Sequence, residues 1–351
     1  MRFLRNLVDK QRKLYHGEDS KFHKMWPLFD ALETFLFAPD FRAGKQRVHC
    51  RDYVDLKRVM NSVIIAMVPC LLWAIWNNGV QHFDAVVKMG VTSEGYATGW
   101  LQGLIGAPVF GLEGGVSAFD TIVFGLQRML PLLIVSYGVG LAIEGVFSVV
   151  RKEEVSEGYL VSGMLIALIV PASTPLWQLA VGVAFSVVLG KEVFGGTGMN
   201  IFNPAMMVRA FLFFAFPAQM SGDAVWVAGN SAPTGVPGNL IDGYAEPTAL
   251  AVAKAAVSNG ESASAVLAEH AGGAYSHYNL FIGNIPGSAG EMSKLMVLIG
   301  AAVLLATGVG SWRTMLGGVL GMLGAAYLVP IMSQVGGLVS DAALHLAPWE
   351  H

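Results

Sequence analysis

The sequence predicts an all-α membrane protein, a polytopic helical bundle with a long extracytoplasmic loop. Three observations carry this. Of the 351 residues, 54% are apolar and only 13% charged, whereas a soluble domain carries about 25% charged residues. The mean hydropathy is +0.54. Several apolar runs also approach the ~20 residues that a membrane span needs. Together these exclude a disordered chain and disfavour an ordinary soluble enzyme. The 42 glycines suit closely packed membrane helices, where small residues let backbones approach. The 2 cysteines, Cys50 and Cys70, are too few for a disulfide framework or a four-cysteine metal site.

The chain opens on a basic head, residues 1–58, holding 13 of the 22 Lys and Arg residues. A basic segment before the first apolar span marks the cytoplasmic side. Its bases are interleaved with acids, which argues against nucleic-acid binding. Apolar spans follow near 59–78, 126–149, 159–175, 176–192, 203–220, 292–310 and 314–334. Pro171 and Pro175 divide the third from the fourth, giving a tight hairpin or two short helices. The stretch 79–120 is glycine-rich, nearly uncharged, and reads as interfacial. With the head inside, Arg151-Lys152, Lys191 and Arg313 all fall on the cytoplasmic side. The stretch 221–291, with Lys254 as its single base and six acids, falls outside. A connection that long is functional or disordered. Trp226, Tyr244, Tyr275, Tyr278 and Phe281 give it residues that can pack or stack.

Ionisable residues within spans are costly and mark function. Glu144 lies in the second span among Gly138, Gly140 and Gly145. It is protonated, paired or facing a water-filled or ligand-filled cavity, or it snorkels to Arg151. Arg209 lies in the fifth span with no acid near it in sequence and calls for a partner from elsewhere. The segment Lys191-Glu-Val-Phe-Gly-Gly-Thr-Gly-Met-Asn-Ile-Phe-Asn-Pro-Ala breaks one apolar run and opens the next. Asn203-Pro204 is a good helix start. Broken backbone at membrane depth lines a cavity or ligand site; a plain cytoplasmic turn is the alternative. Asn200 and Asn203 offer donors and acceptors there. In the outer loop, Asp242-Gly-Tyr-Ala-Glu-Pro-Thr248 precedes a helix-forming run, and Thr248 reads as its N-cap. No nucleotide phosphate loop or hydrolase motif is present.

At these residues the chain resembles a known family, NqrB/RnfD. Its members are membrane subunits of the sodium-translocating NADH:quinone oxidoreductase and of the related Rnf ferredoxin-linked complex. The likeness rests on Phe3-Leu-Arg-Asn-Leu, Pro27-Leu-Phe-Asp-Ala-Leu-Glu-Thr-Phe-Leu-Phe, Glu157-Gly with Ala167-Leu-Ile-Val-Pro, Lys191-Glu-Val-Phe-Gly-Gly-Thr-Gly, Asn203-Pro-Ala, Arg209-Ala-Phe-Leu-Phe-Phe-Ala and Phe281-Ile-Gly-Asn-Ile-Pro-Gly-Ser. The long basic head favours the NADH:quinone enzyme.

The resemblance implies an electron-transfer subunit active only within a six-subunit complex of the bacterial inner membrane. That complex reduces ubiquinone and exports Na⁺. It implies FMN in phosphoester linkage to Thr248, attached by a flavin transferase, and riboflavin near Asn200 and Asn203, with Arg209 in the flavin region. It places quinone and inhibitor sensitivity at Gly140 and Glu144. Two departures stand out. Ala245, Glu246 and Pro247 replace the family's Ser/Thr, Gly and Ala before the threonine, and Leu141 stands where a second glycine is usual. The resemblance also implies two similar helical repeats, the first over 59–220. The second, over 292–351, is then incomplete, as in a truncated or divergent member. The rivals are an RnfD-like component of the ferredoxin-linked complex, a flavin-free transporter with glycine breaks along its path, and an inactive paralogue.

Overall fold

The computed structural model describes Tyr15, Trp26, Phe29, Leu101, Leu104 and residues 56–88, 116–152, 158–220, 248–269 and 275–336. The basic head apart from those three residues and Leu56–Arg58, the loop segment 221–247 with Asp242 and Ala245–Pro247, and residues 337–351 lie outside the described residues. The described elements are helices: α1 Leu56–Lys88, α2 Ala118–Arg151, α3 Gly158–Ile169, α4 Leu176–Phe185, α5 Pro204–Ala215, α6 Ala249–Ser258, α7 Ala263–Glu269, α8 His277–Ile282, α9 Lys294–Ala306 and α10 Trp312–Gly336. By length and composition, Val59–Asp84, Ala118–Arg151 and Leu176–Phe194 can cross a membrane.

The two longest helices form the frame. At 33 and 34 residues, α1 and α2 each run about 50 Å, well past a hydrocarbon core of about 30 Å. Helix α2 starts eight residues before the expected span. Asp120 lowers the hydropathy there, yet Ser117 caps the helix by accepting from the Phe119 amide at 3.2 Å. The pair is antiparallel and touches through glycine. A Cβ on Gly125 would sit 1.7 Å from the Ile75 carbonyl oxygen, and one on Gly79 2.0 Å from that of Thr121. Helix α9 crosses α1 the same way, with a Gly300 Cβ position 2.4 Å from the Ala66 oxygen.

Helices α3 and α4 form an antiparallel hairpin on α2. Their turn, residues 170–175, closes through the Thr174 amide and hydroxyl, which both donate to the Pro171 carbonyl, at 3.0 and 2.8 Å. Hydrogen bonds tie α3 to α2: Ser136 Oγ to the Gly163 carbonyl at 2.8 Å, Tyr137 OH to the Leu160 carbonyl at 2.7 Å, and Tyr159 OH to the Ser136 carbonyl at 2.9 Å. Helix α4 continues into a π-turn, Ser186–Lys191, and a 3₁₀ turn, Glu192–Phe194. The main core gathers Met129, Leu132, Tyr159, Ile166, Leu179, Val183, Val208 and Leu212 between α2, α3, α4 and α5. Helix α5 is 12 residues long, shorter than the expected span, because Phe216 and Pro217 interrupt it before one more turn, Pro217–Met220.

Beyond α5, a second, smaller core gathers Val252 and Ala253 of α6, Ala263 and Leu267 of α7, and Tyr275, Ile285 and Met292 on either side of α8.

Gly125→Ala should force α1 and α2 apart, because the obstacle is backbone rather than a flexible side chain. The expected loss is about 1–3 kcal/mol, read as a lower thermal midpoint of the detergent-solubilised chain. Gly138→Ala, where no heavy atom lies within 4 Å of the added Cβ, should leave the midpoint unchanged or slightly higher.

Candidate functional site

A cavity of about 970 Å³ lies where α5, α6, α7 and α8 meet the segment Gly283–Ser293. Thr248 opens α6 as its N-cap, with φ −64° and ψ 157°, and its Oγ1 accepts from the Ala251 amide at 3.4 Å. The same half-buried residue lines the cavity. Tyr275, His277, Leu280 and Phe281 form another wall, and Arg209, Glu291 and Lys294 bring charge.

The wall contributed by Gly283–Ser293 is irregular backbone, a strap pinned to three helices. From α1, Trp73 Nε1 donates to the Gly283 carbonyl at 3.0 Å and Asn77 Nδ2 to the Ile285 carbonyl at 2.9 Å. The Gly290 amide donates to the Leu168 carbonyl at the end of α3, at 2.7 Å. From α5, Arg209 Nη1 donates to Glu291 Oε1 at 2.8 Å and to the Ile169 carbonyl at 3.3 Å. Ser288 Oγ holds the other Glu291 oxygen at 2.6 Å. The strap leaves α8 through Gly283 at φ +93°, in the left-handed region, with its Cβ position only 2.5 Å from Ser293 Cα. No larger residue fits that turn.

A second polar cluster lies at the opposite end of the hairpin. Glu144 pairs with Lys191, and the side chains are only 2% and 5% exposed. Glu144 therefore does not snorkel to Arg151. Arg151 instead pairs with Glu192 at 2.8 Å and also donates to the Glu192 carbonyl. Tyr159 lies flat on α2 at Gly140, where a Cβ would fall 1.9 Å from its ring. The Lys191 ammonium stands 5.8 Å from the centre of that ring. The loop Gly195–Asn203 follows directly, with Gly195, Gly196 and Gly198 all at positive φ. Asn203 caps α5, accepting from the Ala205 amide at 2.9 Å, with Pro204 in the first turn. Asn200 accepts from the Gly198 amide at 3.3 Å and donates to the Phe202 carbonyl at 2.9 Å.

The structure thus brings Thr248 and Arg209 to one cavity, and Gly140 and Glu144 to one buried cluster. Asn200 and Asn203 sit on the loop beside that cluster, at the other end of α5 from the cavity. Arg209 is not grouped with the two asparagines. Sequence reasoning took Lys191 as a topology marker and, with Glu192, as the start of a motif. It gave neither these two nor Glu291 a place in a site, and passed over Tyr159, His277 and Lys294. One signal was available. Two adjacent opposite charges, Lys191-Glu192, follow one broken helix, and Glu144 and Arg151 lie seven residues apart on another. That spacing puts two complementary pairs within reach.

The fold and site define a polytopic helical membrane protein with a largely apolar cavity, edged by charged side chains, built from an irregular segment and short helices. The chain belongs to the NQR2, RnfD, RnfE family, whose model matches residues 44–347. It is similar to the Na(+)-translocating NADH-quinone reductase B-subunit of Chromohalobacter salexigens, at 41% identity over 93% of this chain and 72% of that one. The protein of the same name from Pseudomonas paraeruginosa is 41% identical over 93% and 74%. That from Klebsiella pneumoniae is 38% identical over 94% and 76%.

Glu144→Gln or Lys191→Met alone strands one buried charge and should cost about 3–5 kcal/mol. The double variant removes both charges and should recover most of that loss. Thermal unfolding of the two singles and the double, read as a double-mutant cycle, checks it.

Proposed function

We propose that this chain is the membrane electron-transfer subunit of a Na⁺-translocating NADH:quinone oxidoreductase in the bacterial inner membrane, carrying FMN as a phosphoester at Thr248. The observation that supports it best is Thr248 itself. The one hydroxyl that the family resemblance singles out lines a cavity of about 970 Å³, at the top of the range for small-molecule sites. Phe281 offers exposed aromatic surface on the same wall, backed by the buried Tyr275, while Arg209 and Lys294 offer positive charge. An N-cap hydroxyl also puts an attached phosphoryl group at the positive end of α6. The residues present therefore fit the group. When bound, FMN supplies the electron-accepting and electron-donating chemistry. The chain's own work is positioning. The strap and α8 wall the cavity, α6 presents the hydroxyl, and Arg209 and Lys294 offset anionic charge.

Riboflavin belongs, in this reading, beside the Gly195–Asn203 loop. Asn203 keeps its amide donor there after capping α5 through its oxygen, and Met199, Ile201 and Phe202 present exposed apolar surface. Gly140 and Glu144 lie next to that loop, where the family's quinone site falls. Ubiquinone is the electron acceptor and Na⁺ the exported ion. The remaining subunits of the six-subunit complex supply electrons from NADH, and a flavin transferase matures Thr248.

Orientation follows from charge. Arg151, Lys152 and Lys191 gather at the end of the bundle carrying the Glu144 cluster, and Arg313 follows α9 at that same end. The positive-inside rule makes it cytoplasmic. The Thr248 cavity is then periplasmic. Helix α5 joins the two ends, with Arg209 about 9 Å along from Asn203.

Expressed with the flavin transferase, the chain should give a fluorescent band under ultraviolet light after denaturing electrophoresis. Thr248→Ala should give a dark one. A dark wild-type band, with the chain present in the membrane, would overturn the covalent assignment. Topology has its own check, in a cysteine-free background. Asn259→Cys, on the exposed α6–α7 turn, should react with a membrane-impermeant maleimide in spheroplasts. Met199→Cys should react only after the membrane is opened.

A further inference from the structure

The geometry points to Arg209 as the residue that holds the phosphoryl group of the cavity's ligand, with Glu291 as the built-in anion that keeps its guanidinium in place. An arginine midway along an apolar helix is costly in a membrane, so its position asks for a reason. Arg209 spends a single nitrogen on the protein. Nη1 donates both to Glu291 Oε1 at 2.8 Å and to the Ile169 carbonyl at 3.3 Å. Among the described residues its Nη2 and Nε have no partner. Guanidinium carries five N–H donors in a planar fork that matches phosphate. The residue lines the same cavity as the Thr248 hydroxyl.

The charge balance agrees. Among the described residues, Arg209 and Lys294 line the cavity against one carboxylate, Glu291. Lys294 Nζ donates to the Leu280 carbonyl at 2.7 Å, which fixes the ammonium on the wall. The N-terminus of α6 adds positive potential at Thr248. The Arg209–Glu291 pair is 36% and 52% exposed, and exposed pairs of this kind are weak. A phosphate monoester carries more charge than one carboxylate, so it competes well for the free face of the fork. Glu291 is in turn held by Ser288, so it keeps the arginine aimed whether or not a phosphate is present.

The inference rests on the flavin reading for the identity of the ligand, but its test does not need covalent attachment. Full-length Thr248→Ala protein in detergent, cysteine-free but for a dye-labelled Asn259→Cys on the α6–α7 turn, is titrated with FMN and with riboflavin. The signal is quenching of the dye, which flavin at the distant Gly195–Asn203 loop does not reach. The readout is the ratio of the two dissociation constants, because damage to the fold weakens both ligands alike. FMN should bind about tenfold more tightly than riboflavin, and inorganic phosphate should displace FMN but not riboflavin. Adding Arg209→Gln should bring the ratio to near one. Arg209→Lys should keep part of it, since a point charge lacks the fork. Glu291→Gln should keep or widen it.

An unchanged ratio in Arg209→Gln overturns the assignment, as does an equal loss of both ligands or no preference for FMN in the parent. A purely structural Arg209–Glu291 tie would make Glu291→Gln behave like Arg209→Gln, and that outcome also overturns it. A dark wild-type band in the attachment experiment removes the covalent reading and leaves this ratio standing.

Discussion

Irregular backbone packed beside membrane helices must find its hydrogen bonds inside the protein, because lipid offers none. The strap Gly283–Ser293 is such backbone, lying against α1 within the apolar stretch Val59–Asp84. Its carbonyls at Gly283 and Ile285 are taken by Trp73 and Asn77, and its Gly290 amide finds the end of α3. These bonds decide more than the strap. They set where α8 ends, where α9 begins, and which residues face the cavity. Asn77 is 1% exposed, so removing its amide would leave a buried carbonyl without a donor. The cavity exists because α1 carries polar side chains at the right two places.

The same constraint governs the other end of the molecule. Helix α4 does not run cleanly to its terminus but passes through a π-turn and a 3₁₀ turn. That change of winding turns Lys191 and Glu192, adjacent in sequence, toward two partners on α2 two helical turns apart. A regular helix would point neighbouring side chains about 100° apart, and the altered winding brings both to α2. Glu144 and Arg151 are each neutralised by a residue from a different helix, so α2 and α4 are locked in register. Gly140 makes room for Tyr159 between them. The cluster next to the Gly195–Asn203 loop is thus rigid, while the loop itself, with three glycines at positive φ, is what rigid elements hold in place. Functional groups held by a rigid scaffold at a broken helix are the expected design where a ligand meets membrane-depth backbone.

Much of this was legible in the sequence, and the limits have physical causes. Helix existence follows from apolar runs, which need no knowledge of partners. Local signals were read correctly for the same reason: Asn203-Pro204 opens α5 and Thr248 caps α6, each through a bond spanning two or three residues. The start of α2 was missed because hydropathy averages discount a helix whose first turn carries Asp120, buried against α1. Pairing was the larger gap. The spacing of Glu144 and Arg151 suggests a contact along one helix. Those residues are about 10 Å apart along the axis, so the hairpin's return brings a nearer cation. Arg209 finds its acid 82 positions away, and no local pattern encodes that distance. The cavity itself was invisible for the same reason, since its walls come from three separate stretches of chain.

Arg209 is where the two halves of the structure meet. It closes the carbonyl end of α3, anchors the strap through Glu291, and faces the cavity, all from the middle of the helix that Asn203 begins. A change in the charge it senses in the cavity therefore acts on the same side chain that holds the strap to α5. The strap in turn is bonded to α1, the helix against which α2 packs at Gly125. The chain of contacts from cavity to frame is short: the Arg209–Glu291 pair, the side-chain bonds from Trp73 and Asn77 to the strap, and the backbone close approach at Gly125. The costly arginine thus serves three contacts at once: the α3 carbonyl, the strap's carboxylate and the cavity wall.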